Sequence, residues 1–158
     1  MIYSRTSEYA IRALVYFANY PEKTYATVKD VSRASGVPRA YVAKIFQGLV
    51  KSGILRAVRG PHGGYALTSR PDALILLRVV KALDDLSGSL FKNCVMGFDK
   101  CNDRNPCPLH PVWKKAKEAM LEELRTCTIA DVAKLNGRFK TGKRSRAVLS
   151  NHMRDLFQ

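Results

Sequence analysis

The stretch Thr27-VKDVSRASGVPRAYVAKIFQGLVKSGILRAVRGPHGGYA-Leu67 decides the fold. Its opening predicts a helix from Val28 to about Ser35, with Thr27 as N-cap and Gly36 at the C-terminal stop. Val37-Pro38 then starts a longer helix, with Pro38 near the first turn, where a missing N–H costs little. Val42, Ile45, Phe46, Leu49 and Val50 fall on one face of that helix. Arg39, Lys44, Gln47 and Lys51 fall mainly on the other, and Ser52-Gly53 ends it. Ile54–Val58 and Tyr65–Leu67 read as two short strands joined by the turn-rich Arg59-Gly60-Pro61-His62-Gly63-Gly64. Two helices about a tight glycine turn, followed by a hairpin, make a winged helix-turn-helix. The fold class is mainly α with a small β-hairpin wing.

Outward from that stretch, residues 5–19 predict a preceding helix, with Ser4, Thr6 or Ser7 available as N-cap and Pro21 as its stop. After the wing, residues 71–86 return to helix with a break near Leu76, and 88–107 read as loop. A long amphipathic helix follows, from Pro108 or Pro111 to about Arg125. Its Val112/Trp113, Ala116, Met120 and Leu124 recur at spacings of three or four. One apolar stripe on a helix outside a compact DNA-binding unit is the pattern of a dimerisation helix. Thr128 caps a final helix, Ile129–Leu135. The expected organisation is a DNA-binding domain at 1–70, a ligand loop with the dimerisation helix at 71–135, and a basic, flexible tail at 136–158.

A helix-turn-helix works because its turn fixes the angle between two helices while apolar residues, here Val31, Ala34, Val37, Val42 and Ile45, hold them together. The second helix then presents its polar N-terminal residues to a major groove. Arg39, Tyr41, Lys44 and Gln47 are the candidates, with Ser35 and Thr27 near the phosphates. Tyr41 has a second option, packing against the first helix. The wing supplies Arg56 and Arg59, the latter beside a Gly/Pro tip suited to a narrow minor groove.

Charge points the same way. The 158 residues carry a net charge of +14, with 13 Lys and Arg against 6 Asp and Glu in residues 1–90, and 6 against 1 in 138–158. Such an excess suits a nucleic-acid or anionic partner. No apolar run approaches the roughly 20 residues that span a bilayer. The first twenty residues lack a basic start and a small-residue cleavage site, so no membrane association is expected and the location reads as cytoplasmic. There is no acid–base pair or phosphate loop, which argues against an enzyme.

The chain has 4 cysteines, three of them in the segment Cys94-VMGFDK-Cys101-NDRNP-Cys107-PL-His110. In a reducing compartment this C-x6-C-x5-C-x2-H pattern reads as metal ligation rather than disulfides. Soft thiolates select zinc, Cu(I) or iron–sulfur clusters. Zinc sites usually group their ligands in tight C-x2-C pairs, and the intervals here are looser. An iron–sulfur cluster, zinc and free thiols all remain open on these residues alone. Cys127 lies outside the set and reads as a half-buried core residue.

The segments LVKSGILRAVRGPHGGYALTSRP and SRTSEYAIRALVYFA, with the C-x6-C-x5-C-x2-H segment followed by Trp113, resemble the bacterial repressor family containing IscR, NsrR and RirA. The resemblance covers about residues 1–135. It implies a homodimer paired through the long helix, a partly palindromic double-stranded DNA operator, and a regulatory cluster held by Cys94, Cys101, Cys107 and His110. The His-containing set favours 2Fe–2S over 4Fe–4S. Some family members use an acidic residue of the partner subunit, which makes Glu8 the alternative fourth ligand; its plain reading is an ion pair with Arg5 or Arg12. The competing readings are a zinc- or thiol-based sensor on the same fold, an iron–sulfur electron carrier, and an RNA-binding winged helix. The resemblance does not account for the basic tail.

Overall fold

The computed structural model describes residues 3–60, 63–84, 94–98 and 101–135. The elements run α1 (Arg5–Asn19), α2 (Val28–Ser35), α3 (Arg39–Lys51), β1 (Leu55–Val58), β2 (Gly64–Leu67), α4 (Leu76–Leu83), α5 (His110–Thr126) and α6 (Ile129–Lys134). The wing tip at Pro61-His62 and the tail at 136–158 lie outside the described residues.

Of the three candidate N-caps, Ser4 caps α1, its side chain accepting from the Ser7 N–H. Ser4 in turn donates its backbone N–H and hydroxyl to Asp84, which ties the start of α1 to the end of α4. Thr27 caps α2 by accepting from the Asp30 N–H, and Gly36 closes it at φ 70°, a left-handed conformation that costs a Cβ-bearing residue energy. Thr128 and Asp131 cap α6 reciprocally: the Thr128 hydroxyl accepts from the Asp131 N–H, and the Asp131 carboxylate accepts from Thr128. Lys134 and Thr128 hold the Asp131 carboxyl well below the usual carboxylate range.

The wing is an antiparallel hairpin with Leu55 opposite Leu67 and Val58 opposite Gly64. Ala26 adds a short bridge to Tyr65, so the chain entering α2 is hydrogen-bonded to the wing. The core gathers Leu14 and Phe17 of α1, Val31 of α2, Val42, Ile45, Phe46 and Leu49 of α3, and Val79 and Val80 of α4. It also takes Leu74, Leu124, Ile129 and Val132, so it runs continuously across the boundary expected at residue 70. Helix α1 packs against α2, α3, α4 and α6.

The segment expected as helix over 71–86, with a break near Leu76, is not helical before Leu76, and its residues 85 and 86 lie outside the described residues. Helix α4 spans only Leu76–Leu83. Residues 71–73 form a turn, with the Ala73 N–H bonded to Arg70 O at 3.0 Å. Ile75 then bridges Thr128 in antiparallel fashion. The Leu76 N–H donates to Cys127 O and the Ile129 N–H to Leu74 O, each at 2.9 Å. The run Leu74-Ile75-Leu76-Leu77 is apolar enough for either helix or extended chain, and a partner 53 residues away decides it.

Helix α5 divides its expected stripe. Leu124 is buried and Met120 packs on the core, whereas Val112 is 70% exposed and Ala116 is also exposed. The C-terminal end of the stripe therefore belongs to this core, while Val112 and Ala116 toward its N-terminal end face outward and Trp113 is half-buried.

Phe46 is fully buried and meets Tyr65 edge-on, 4.9 Å between ring centroids. Phe46→Ala should destabilise the chain by about 3–5 kcal/mol, read as a lower urea midpoint at unchanged slope.

Candidate metal centre and nucleic-acid interface

The segment leading into α5 brings the four candidate ligands together as two pairs. Cys94 Sγ and Cys107 Sγ lie 3.6 Å apart. Cys101 Sγ lies 3.2 Å from His110 Nδ1. His110 opens α5 and is 7% exposed, its backbone N–H bonded to Cys107 O at 2.9 Å, so loop and helix start are one hydrogen-bonded unit. No three His, Cys, Asp or Glu side chains converge on a single metal-ion position among the described residues.

The surroundings are polarised toward thiolate chemistry. The Met96 backbone N–H, then the neighbouring Cys107 thiol, lower the Cys94 thiol from its ordinary value. Burial instead pushes the Cys127 thiol up, and Cys127 packs on the core, as its sequence position suggested. His110 Nε2 meets Asp103 Oδ1 at 2.9 Å, and Lys114 Nζ sits 3.0 Å from the same oxygen. Sequence reasoning missed Asp103 and Lys114. Among the exposed charges of this segment nothing in the spacing marks them, and only the loop's path brings them to the imidazole.

Glu8 is part-exposed and lies 3.9 Å from Arg12, one helical turn along α1. The guanidinium donates its other end to Ser35 O at 2.9 Å, across the helix-turn-helix turn. The plain ion-pair reading of Glu8 therefore describes its place within one chain.

The candidate recognition face is α3. Arg39, Tyr41, Lys44 and Gln47 are all exposed, and Ala40, Lys44, Gln47 and Lys51 share one outward stripe. Pro38 provides no side-chain cap, so the α3 N-terminus keeps backbone N–H groups and a partial positive charge facing out. Tyr41 is 56% exposed but leans on Tyr9 of α1, with ring centroids 5.6 Å apart in an edge contact. Arg56 and Arg59 are exposed on the wing. Thr27 is half-buried and its hydroxyl donates to Asp30 Oδ2 at 2.7 Å.

Ser35 is a correction. Expected beside the phosphates, it is 5% exposed. Its hydroxyl donates to Val31 O at 2.7 Å and accepts from the Val37 N–H at 3.3 Å. A polar side chain at the end of α2 has been taken inward to brace the turn.

The helix-turn-helix with its wing fits a known group. The Rrf2 model, described as an iron-dependent transcriptional regulator, matches residues 3–135. The chain belongs to the Rrf2 family. As an Rrf2 protein it is a DNA-binding transcriptional regulator, and its family is one of regulators rather than enzymes. It is 29% identical over 134 residues to a protein of Aquifex aeolicus described as an HTH-type transcriptional regulator, a match covering 84% of this chain and 91% of that one. Its fold is similar to that of CymR, the global cysteine regulator of B. subtilis: TM-score 0.70, 18% identity, 85% of this chain and 98% of that chain. It is also similar to T. potens IscR, with TM-score 0.65, 22% identity, and 85% and 87% of the two chains covered. No helix among the described residues is long and apolar enough to cross a membrane.

Ser35→Ala should lower stability by about 1 kcal/mol in chemical denaturation. The salt dependence of its DNA binding should stay that of the wild type, and a shallower slope would return Ser35 to the phosphate contacts.

Proposed function

We propose that this Rrf2 protein is a homodimeric repressor whose operator affinity is set by an iron–sulfur cluster held by Cys94, Cys101, Cys107 and His110. The observation that carries the reading is the pairing of the ligands, Cys94 with Cys107 and Cys101 with His110, at 3.6 and 3.2 Å. Bonds of about 2.3 Å to sulfur and 2.0–2.1 Å to nitrogen place two thiolates on one tetrahedral ion about 3.8 Å apart, and a thiolate and an imidazole about 3.6 Å apart. Each pair is thus close to the reach of one metal ion. Four ligands divided two and two suit a dinuclear 2Fe–2S group better than a single zinc ion, which needs all four around one point. The Glu8–Arg12 ion pair favours His110 over Glu8 as the fourth ligand.

Such a cluster supplies a redox-sensitive, labile crosslink. The chain's own residues carry the consequence. His110 joins the ligand loop to the first turn of α5, α5 packs on α4, and α4 packs on the recognition helix α3. At that last contact Gly48 lets the helices close up, since a Cβ there would lie 2.9 Å from Leu83 Cδ2. Ordering the loop therefore bears on the placement of α3. In a dimer paired through the outward face of α5, that placement sets the spacing of two recognition helices on a partly palindromic operator. The exposed Val95, Met96, Phe98, Leu109 and Val112 around the loop support a second copy docking on this side.

On DNA, Arg39, Lys44 and Gln47 face the major groove, with Tyr41 at the edge of that surface. Arg56 and Arg59 reach from the wing, and Thr27 stands at the phosphate-facing start of α2. Arg39→Ala and Lys44→Ala should each weaken operator binding by about 1–3 kcal/mol, read in a gel shift at fixed salt.

The deciding experiment is anaerobic purification followed by an absorption spectrum, with iron, sulfide and zinc assays and operator binding before and after cluster removal. Matched iron and sulfide with a change in affinity upholds the reading, and Cys101→Ala should then behave as the cluster-free wild type. Colourless, zinc-loaded protein would replace it with a zinc sensor on the same fold.

A further inference from the structure

We infer that Asp103 is a positioning residue that decides which nitrogen of His110 faces the cysteines. The inference rests on the reading of His110 as a ligand.

Asp103 Oδ1 lies 2.9 Å from His110 Nε2, and Cys101 Sγ lies 3.2 Å from Nδ1 on the opposite side of the ring. A carboxylate can only accept, so Nε2 must carry a proton and donate it. A neutral imidazole has a single N–H, which leaves the Nδ1 lone pair directed at Cys101. A metal-binding imidazole needs that arrangement: one nitrogen unprotonated toward the metal, the other donating to an acceptor that fixes ring and tautomer.

Asp103 is itself held. Lys114 Nζ sits 3.0 and 3.1 Å from its two carboxylate oxygens. Lys114 lies four residues after His110 on α5, so ring and ammonium project from one helix face and grip the carboxylate between them. The Asn102 side chain also accepts from the backbone N–H groups of Arg104 and Asn105, each at 3.0 Å, which fixes the turn carrying Asp103. The Asp103 side chain is 73% exposed, so its change should leave the core intact. The structure assigns Nδ1 as the ligating atom.

The test is Asp103→Asn, an isosteric change whose amide can donate to Nε2 and so removes the preference. In metal-free wild type, two-bond 15N–1H correlation spectra of labelled histidine should show His110 protonated at Nε2 alone. In Asp103→Asn a population protonated at Nδ1 should appear, and metal retention should fall by about 10–100-fold at an unchanged thermal midpoint. The same substitution placed in His110→Cys should change retention no further, because Asp103 acts through the ring. A wild-type spectrum with the proton on Nδ1, or Asp103→Asn identical to wild type in tautomer, or an undiminished effect in His110→Cys, would overturn the proposal. If wild type carries no cluster, the reading of His110 as a cluster ligand falls. The tautomer spectra of the metal-free proteins then decide the role of Asp103 by themselves.

Discussion

Packing on α1 is the constraint from which the rest of the arrangement follows. Ala10, Ala13 and Leu14 are fully buried, and Val15, Tyr16 and Phe17 nearly so, which sinks the middle of this helix into the core. Four other helices lie against it, from both halves of the chain. Ala10 and Ala13 share the core with Leu14 and Phe17, and the Phe17 ring lies 6.3 Å from that of Phe46 on α3. Arg12, on the same helix, reaches the carbonyl of Ser35 and so holds the turn that aims α3. Helix α1 thus helps to set how α3 is presented.

Much of this was legible in the sequence, and the reason is local. Thr27, Gly36, Pro38 and Ser52-Gly53 are boundary signals acting over one turn, and α2 and α3 begin and end where they indicate. The wing strands lie within a residue of their expected limits because a short hairpin is set by its own turn. What failed to read out was set from afar. The Ile75–Thr128 bridge takes residues 74 and 75 away from helix, and no periodicity within the segment reports on Thr128. The tail and the wing tip remain as the sequence left them, outside the described residues.

The candidate site was legible as a set of residue types and illegible as a neighbourhood. Three cysteines and a histidine announce themselves by type and spacing, and the structure gathers them as two pairs rather than as one convergent group. The carboxylate and ammonium beyond the imidazole are ordinary charged residues until the loop folds over α5. Ser35 shows the opposite error, because a polar residue at a helix end reads as surface until its hydroxyl is seen bracing Val31 and Val37.

The contact of α6 with α1 has a consequence for how the molecule is made. Ile129, Val132 and Ala133 complete a core whose first members are Ala10 and Ile11. A chain emerging from the ribosome therefore has every residue of its reading head long before it has the residues that seal it. Until position 133 is free to dock, α3 rests on an unfinished base. Only a chain made through residue 133 can close this core, so shorter products of synthesis lack part of the base on which α3 rests.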